Sequence, residues 1–318
     1  MRLWFAACLL LSSAASWADG SPEALDWLRR IHAASQKASY TGTFVYQHGN
    51  RSEASHITRL ADAAGGVEKL EMMDGAPREI IRERDLVKCY LPDRRTVKIE
   101  RRGDSRSFPA LLPAQVGRVT EYYSASLGAT QRIAGYECQE IALTPRDELR
   151  YGYRLWADVQ SGMLLKAQTV DRKGEPIEQF TFTQLSIGNV SRDQVRPTHT
   201  ARNWRIEEAG AHLANLAEAG WSVDTGLPGF TKLAEIKRRL RDSNSVGQMV
   251  YSDGMAAVSV FIEPLGGPRE TRQWGLSNAG AINIYTREVA NHRVTVVGET
   301  PAVSVERIGD MVRFRPPR

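Results

Sequence analysis

The chain has 318 residues, with 42 Lys and Arg against 37 Asp and Glu, a formal net charge of +5 and three cysteines. That length favours two hydrophobic cores over one. A small basic excess spread along the chain inclines the surface toward an acidic partner or anionic lipid but defines no nucleic-acid-binding stripe, and no Cys-x-x-Cys spacing supports a zinc or thioredoxin-like site.

The first residues read as an export signal at 1–18. Arg2 supplies a basic start, Leu3 to Leu11 an apolar run, and Ser16-Trp17-Ala18 a small-x-small cleavage site before Asp19. The apolar run falls far short of the roughly 20 residues a membrane helix needs, and nothing later approaches that length. Cys8 sits in a faint lipoprotein-type box, but cleavage there would leave too short a signal. The mature chain is therefore expected to be soluble in the periplasm. In that oxidising compartment Cys89 and Cys138 can form a disulfide or serve as small buried hydrophobes.

Ser21-Pro22-Glu23 is a helix start, and Leu25, Leu28 and Ile31 fall on one face, predicting a single amphipathic helix to about Ser39. From Tyr40 the period changes to two. Alternating runs at Tyr40–Tyr46, Ser55–Leu60, Val67–Met72, Glu79–Arg82, Leu86–Leu91 and Thr96–Glu100 are separated by turn residues such as Gly65-Gly66, Asp74-Gly75 and Pro92-Asp93. This predicts an antiparallel meander with one wet face. Phe108 to Val119, marked by Pro109, Leu111, Leu112 and Pro113, interrupts it as an apolar insert or plug. Strands resume at Tyr136–Leu143, Tyr151–Asp158, Leu164–Asp171 and Ile177–Leu185.

Gly188 to Asn203 follows neither period and is the linker candidate. Beyond it a second, smaller domain is predicted. Met249–Tyr251 and Met255–Ile262 flank Ser252-Asp253-Gly254 as a hairpin, Gly266 to Gly280 reads as a long loop, and Ala281–Tyr285 and His292–Gly298 as strands. Thr300-Pro301 is expected to cap a final helix carrying Ala302, Val305, Ile308 and Val312 on one face. Phe230, Leu233, Ile236 and Leu240 have helical spacing, while Pro228-Gly229 before them could equally start a strand. The fold class expected is α+β, mostly antiparallel β. The domain layout is 19–190, a linker at 191–215, and 216–318.

Signals for chemistry are sparse. The six histidines show no four-residue pairing that would present a metal from one helix face, and neither a Gly-x-Ser-x-Gly elbow nor a phosphate-binding glycine loop occurs. The chain reads as a binding protein without metal or cofactor. Two basic runs stand out: Arg94 through Arg106, and Lys237, Arg238, Arg239 and Arg241. Either is a solvated face or a contact for lipid phosphates or an acidic polypeptide. A curved antiparallel sheet crossed by an apolar plug can also leave a cavity lined by aromatic and Met side chains. Phe44, Tyr46, Met72, Leu111, Leu112 and Trp156 are the candidates for its lining.

Four motifs carry a family resemblance: Met73-Asp74-Gly75-Ala76-Pro77-Arg78-Glu79-Ile80-Ile81-Arg82, Asp171-Arg172-Lys173-Gly174-Glu175-Pro176-Ile177-Glu178-Gln179-Phe180, Tyr251-Ser252-Asp253-Gly254 and Thr295-Val296-Val297-Gly298-Glu299. Together they resemble the MucB/RseB family of periplasmic regulators of the envelope-stress sigma factor. The resemblance implies an unclosed β-barrel like those of the lipoprotein carriers LolA and LolB, with helices across its mouth, and a smaller α/β domain. It favours a strand for the ambiguous segment at 230–240. It also implies binding of the periplasmic part of a membrane-spanning anti-sigma factor of the MucA or RseA type, protection of that segment from the site-1 protease, and release when lipid, lipopolysaccharide or lipoprotein acyl chains engage the regulator. A homodimer is expected. On this reading the second domain and linker, with Lys237, Arg238, Arg239 and Arg241, hold the anti-sigma segment. The alternative is a lipoprotein carrier, which would need only the first domain.

Overall fold

The structure, a computed structural model, describes residues 21–63, 65–101, 116–209, 211–224, 226–239, 245–265 and 274–316. Helix α1 (Pro22–Lys37) precedes strands β1 (Tyr40–His48), β2 (Arg51–Leu60), β3 (Val67–Met72), β4 (Glu79–Glu83), β5 (Leu86–Leu91) and β6 (Thr96–Arg101). A one-turn helix α2 (Val119–Tyr122) runs into β7 (Tyr123–Ile133), followed by β8 (Tyr136–Pro145), β9 (Gly152–Asp158), β10 (Leu164–Val170) and β11 (Pro176–Ile187). The short strands β12 (Arg205–Ala209), β13 (Ala211–Leu213) and β14 (Trp221–Val223) come next. They lead to β15 (Thr231–Arg239), β16 (Ser245–Ser252), β17 (Ala257–Pro264), β18 (Gly275–Ala279), β19 (Ile282–Val289) and β20 (His292–Gly298). Helix α3 (Ala302–Asp310) and β21 (Val312–Phe314) complete the described elements.

Helix α1 starts as its sequence dictates: the Ser21 hydroxyl accepts the Ala24 amide at 3.1 Å, Pro22 occupies the first turn, and Leu28 and Ile31 are buried. The helix ends at Lys37, two residues short of expectation. Its buried stripe packs on one large sheet ordered β12-β6-β5-β4-β3-β2-β1-β11-β10-β9-β8-β7. Strand β1 sits in the middle, paired with β2 on one side and β11 on the other. The edges β7 and β12 do not pair with each other, so the barrel is unclosed. Tyr40, Phe44, Leu155, Phe182 and the helix residues form its main core.

Strand β7 carries no sequence signal because it is an edge: from Ser126 to Arg132 every described side chain but those at its ends faces water, so no apolar alternation is required. The proline-marked insert, including Leu111 and Leu112, lies outside the described residues, apart from the turn at Val116–Arg118 and α2.

The segment expected to be a free linker is instead packed down. Val195 is buried with Val67, Ile81, Tyr90 and Val97 in a separate small core, and Val190, Ala201 and Trp204 pack against it. Farther on, β12 joins β6 in parallel and β13 joins β15 of the second sheet. The reason is apolar content that the polar composition around it conceals. A polar clasp reinforces the strap: the Thr198 amide donates to both Glu79 carboxylate oxygens at 3.1 and 3.0 Å, and Lys69 Nζ donates to the Thr198 hydroxyl at 2.7 Å.

The second sheet has the order β13-β15-β16-β17-β20-β19-β18, and β14 pairs with β21 in a small ribbon beside it. Its core, with Val258, Val260, Val294, Val296, Val305 and Ile308, lies between the sheet and α3. Three expectations meet the structure here. The ambiguous segment is strand β15, as the resemblance favoured. The expected long loop contains β18, because Gly280 at φ +62° lets Ala279 and Ile282 close a hairpin. The final helix is capped by Pro301 without a side-chain hydrogen bond, and Val312 lies in β21 beyond it.

Cys89 and Cys138 are both free. They sit on β5 and β8, with β4, β3, β2, β1, β11, β10 and β9 between them in the sheet order. The bridge is absent because strand order, invisible in residue spacing, separates the two thiols.

Replacing Glu79 by Ala removes the carboxylate that faces buried Lys69 and the Thr198 amide. The expected result is a loss of about 3 kcal/mol in urea unfolding and faster proteolysis between residues 192 and 204. An unchanged cleavage pattern would contradict the clasp.

Candidate functional site

The residues expected to line an apolar cavity do not converge. Phe44 is paired with Phe182 in register, and its ring meets those of Phe180 and Phe182 edge-on at 6.4 and 5.8 Å. Tyr46 shares that face and donates to Glu178 at 2.6 Å. Burial, then this hydrogen bond, pushes its phenol pKa up. Met72 is on the same side, opposite Ser55, whose hydroxyl lies 3.3 Å from its sulfur. Trp156 is not. Phe180 aligns with Ala167 and Ala167 with Leu155, so the next residue, Trp156, projects from the other face. There Lys166 Nζ lies 4.3 Å from its ring centre and Arg154 5.4 Å.

The second basic run is divided in the same way. Lys237 and Arg238 project from opposite faces of β15, while the side chain of Arg239 and all of Arg241 lie outside what the structure describes. A run of like charge on a strand therefore cannot make one patch.

What the fold does assemble is a junction between the two domains. The loop joining β8 to β9 ends in Leu149 and Arg150, and both leave the first domain. Leu149 is buried in the core of the second, among Trp221, Val305 and Ile308, and its carbonyl accepts the Ser304 hydroxyl at 2.8 Å. Arg150 is completely buried. Its Nε donates to Asp253 at 2.7 Å, and its terminal nitrogens donate to Asp147 and to the Pro228 carbonyl. Its guanidinium lies 4.4 Å from the Tyr122 ring centre and 5.2 Å from that of Phe230. The junction thus joins Tyr122, Asp147 and Arg150 of one domain to Pro228, Phe230 and Asp253 of the other.

Asp253 occupies the β16–β17 turn because its second oxygen accepts the Met255 and Ala256 amides at 2.8 and 2.9 Å. The Tyr123 hydroxyl lies 3.3 Å from the oxygen that takes Arg150. Burial, then the neighbouring Tyr153, then the Asp253 charge push the Tyr123 pKa well above the ordinary phenol value, so the hydroxyl stays protonated and can donate. Reciprocally, Met255 of this turn packs against the core of the first domain. Nearby, Asn283 donates to the Tyr151 hydroxyl at 2.9 Å, and Gly229, at φ +82°, lies against the Tyr122 ring where a side chain would collide. Sequence reading took Asp253 for a turn residue and passed over Arg150; no spacing links them, because they lie on loops of different domains.

Among the described residues no group of three or more His, Cys, Asp or Glu side chains could hold a metal ion. A cleft lies elsewhere, between the strap and β3 to β5. Its volume of about 150 Å³ is lined by Val67, Ile81, Tyr90, Arg192 and Pro197 among others.

Residues 23–200 match the MucB/RseB N-terminal domain and residues 215–313 the MucB/RseB C-terminal domain. The chain belongs to the MucB/RseB family. It is 30% identical to the sigma factor AlgU regulatory protein MucB of Pseudomonas aeruginosa and 27% identical to the sigma-E factor regulatory protein RseB of Escherichia coli K12, each over 98% of both chains. The crystal structure of MucB in complex with MucA(peri) superposes with a TM-score of 0.71 at 28% identity, covering 92% of this chain and 99% of that one. For MucB alone the TM-score is 0.66 at the same identity.

Removing Asp253 with Ala strands a fully buried guanidinium, and a loss of about 3 to 5 kcal/mol is expected in denaturant unfolding. Adding Arg150→Met should restore part of it, giving a double-mutant coupling of at least about 1 kcal/mol. Additive losses would mean that the two charges do not hold one another.

Proposed function

We propose that this MucB/RseB-family chain is a periplasmic, non-enzymatic regulator. It binds the periplasmic part of a membrane-spanning MucA/RseA-type anti-sigma factor, shields it from site-1 proteolysis, and releases it when lipid, lipopolysaccharide or lipoprotein acyl chains engage the first domain. The observation that carries this reading is likeness over 92% of the chain to the crystal structure of MucB in complex with MucA(peri). The buried junction supports it against the carrier alternative. A carrier would need only the first domain, whereas here Leu149 of that domain belongs to the second core. We further propose that the protein acts as a homodimer.

The acyl site is placed on the face of the large sheet that carries Phe44, Tyr46 and Met72, with half-buried Leu70 beside them. Each buried methylene contributes about 0.8 kcal/mol, so a few carbons match the 1 to 3 kcal/mol typical of coupling between sites. Lipid releases the partner only if it binds the partner-free state more tightly. Tyr123 belongs to the helix-covered core and also reaches Asp253, so it is a candidate for carrying that preference across the junction.

Two measurements test the reading. The purified chain should bind the isolated periplasmic segment of the anti-sigma factor and slow its cleavage by the site-1 protease; no binding at low salt would refute the regulator. Met72→Asp should preserve that binding while weakening release by a lipid such as lauroyl-glycerol or lipopolysaccharide about tenfold, read as the lipid concentration needed for half-maximal cleavage. Unaltered release would move the acyl site elsewhere.

A further inference from the structure

The cleft beneath the strap lies away from both the acyl face and the domain junction. Its floor is Val67, Ile81 and Tyr90 of β3, β4 and β5, and its roof is Val195 and Pro197 of the strap. Val67 is out of step with Leu70 and Met72 in the alternation along β3, so the cleft opens on the opposite face of the sheet from those residues. The strap that roofs it is pinned at both ends. At one, Thr198 meets Glu79 and Lys69; at the other, the terminal nitrogens of Arg192 lie 3.5 Å from Asp62 and from Glu83. Between these pins, from Ser191 to Thr198, only Val195 is buried, and about 150 Å³ is left beside it.

The rim of this cleft is cationic. Lys88, Arg192 and Arg196 face it against a single carboxylate, Glu83, which already turns to Arg192. Lys88 pairs with Ile81 across β4 and β5, is half-buried, and has no ion-pair partner among the described residues. The Arg192 contacts are longer than the roughly 2.7 to 2.9 Å of a charge-assisted hydrogen bond, so its guanidinium is near two acids without being bound to either. Arg196 holds Asp193 at 2.9 Å where both are exposed. A half-buried ammonium over an apolar floor carries a desolvation cost until an anion meets it. The complement of such a site is a singly charged anion with an apolar body, since Glu83 opposes a second negative charge. Volume fixes the size of that body: a cavity of about 150 Å³ admits a group the size of benzene. A long acyl chain is too large, whereas a branched-chain or aromatic monocarboxylate fits.

We propose that the strap cleft is a binding site for a small monocarboxylate, its anion held by Lys88 and Arg192 and its branched or aromatic body against Ile81, Leu86 and Tyr90. The site does not depend on the proposed regulation of an anti-sigma factor. A ligand there touches strap and sheet together, so it binds only while the strap is packed. At ten times its dissociation constant it lowers the opened population about elevenfold. The ligand thereby holds down the segment that leads into β12 of the first sheet and β13 of the second.

The experiment uses the full chain with sodium benzoate and sodium isovalerate as probes. Binding is read by calorimetry, and strap opening by the rate of proteolysis between residues 192 and 204. Each probe should bind once per chain and slow that cleavage about tenfold at ten times its dissociation constant. Lys88→Met, which keeps an aliphatic side chain and removes the charge, should weaken binding at least tenfold at an unchanged melting temperature. Where that variant melts early, the wild-type chain gives a separate readout with benzyl alcohol, which lacks the charge, and acetate, which lacks the body. Each should bind at least tenfold more weakly than benzoate. No saturable binding of either carboxylate at about 10 mM, where even a millimolar ligand saturates, overturns the site. Benzoate binding that Lys88→Met leaves within twofold overturns it as well. Benzyl alcohol binding as tightly as benzoate overturns the anionic class, and acetate doing so overturns the apolar body.

Discussion

The ion pair between Arg150 and Asp253 is the constraint on which the arrangement of this molecule depends. Both side chains are fully removed from water and come from different domains. A buried guanidinium is tolerated only when its donors are used and its charge is opposed. Here Asp253, Asp147 and the Pro228 carbonyl take its hydrogen bonds while the Tyr122 and Phe230 rings lie near the cation. Separating the domains would expose these groups and withdraw Leu149 from the second core. The two domains are accordingly held as one body, by a contact that opens only at considerable cost.

That geometry gives a regulator something to act on. The strap at 192–204 clasps the first sheet through Val195 and Thr198, and the chain then contributes β12 to one sheet and β13 to the other. Tyr123 contacts the helix-covered core at one end and the Asp253 turn at the other. The packing of the first core and the turn that fixes the second domain therefore share Tyr123.

Much of the architecture was legible in the amino-acid order. Ser21 and Pro22 announce α1, and the alternation from Tyr40 onward announces the meander, because a strand with one buried face must repeat every second residue. The four motifs together carry the family resemblance. The candidate sites were far less legible. Trp156 and Phe44 project from opposite faces of the sheet, and Arg238 and Lys237 diverge as neighbours on a strand do, neither of which composition reveals. Strand β7 leaves no signal because an exposed edge has no need of periodicity, and the strap resembles a free tether in sequence because its few apolar residues, Val195 and Trp204, are scattered.

By itself, then, the sequence determined the first helix, most strands of the meander and the kinship, since each follows from local propensity, short-range periodicity or motif combination. Only the tertiary structure decided that Arg150 meets Asp253, that Cys89 and Cys138 stay apart, and that Leu149 joins the second core. Those outcomes depend on strand order and on how two sheets pack. Contacts between residues a hundred positions apart leave no local signature, because the hydrophobic and electrostatic forces that select them act across space and are indifferent to separation along the chain.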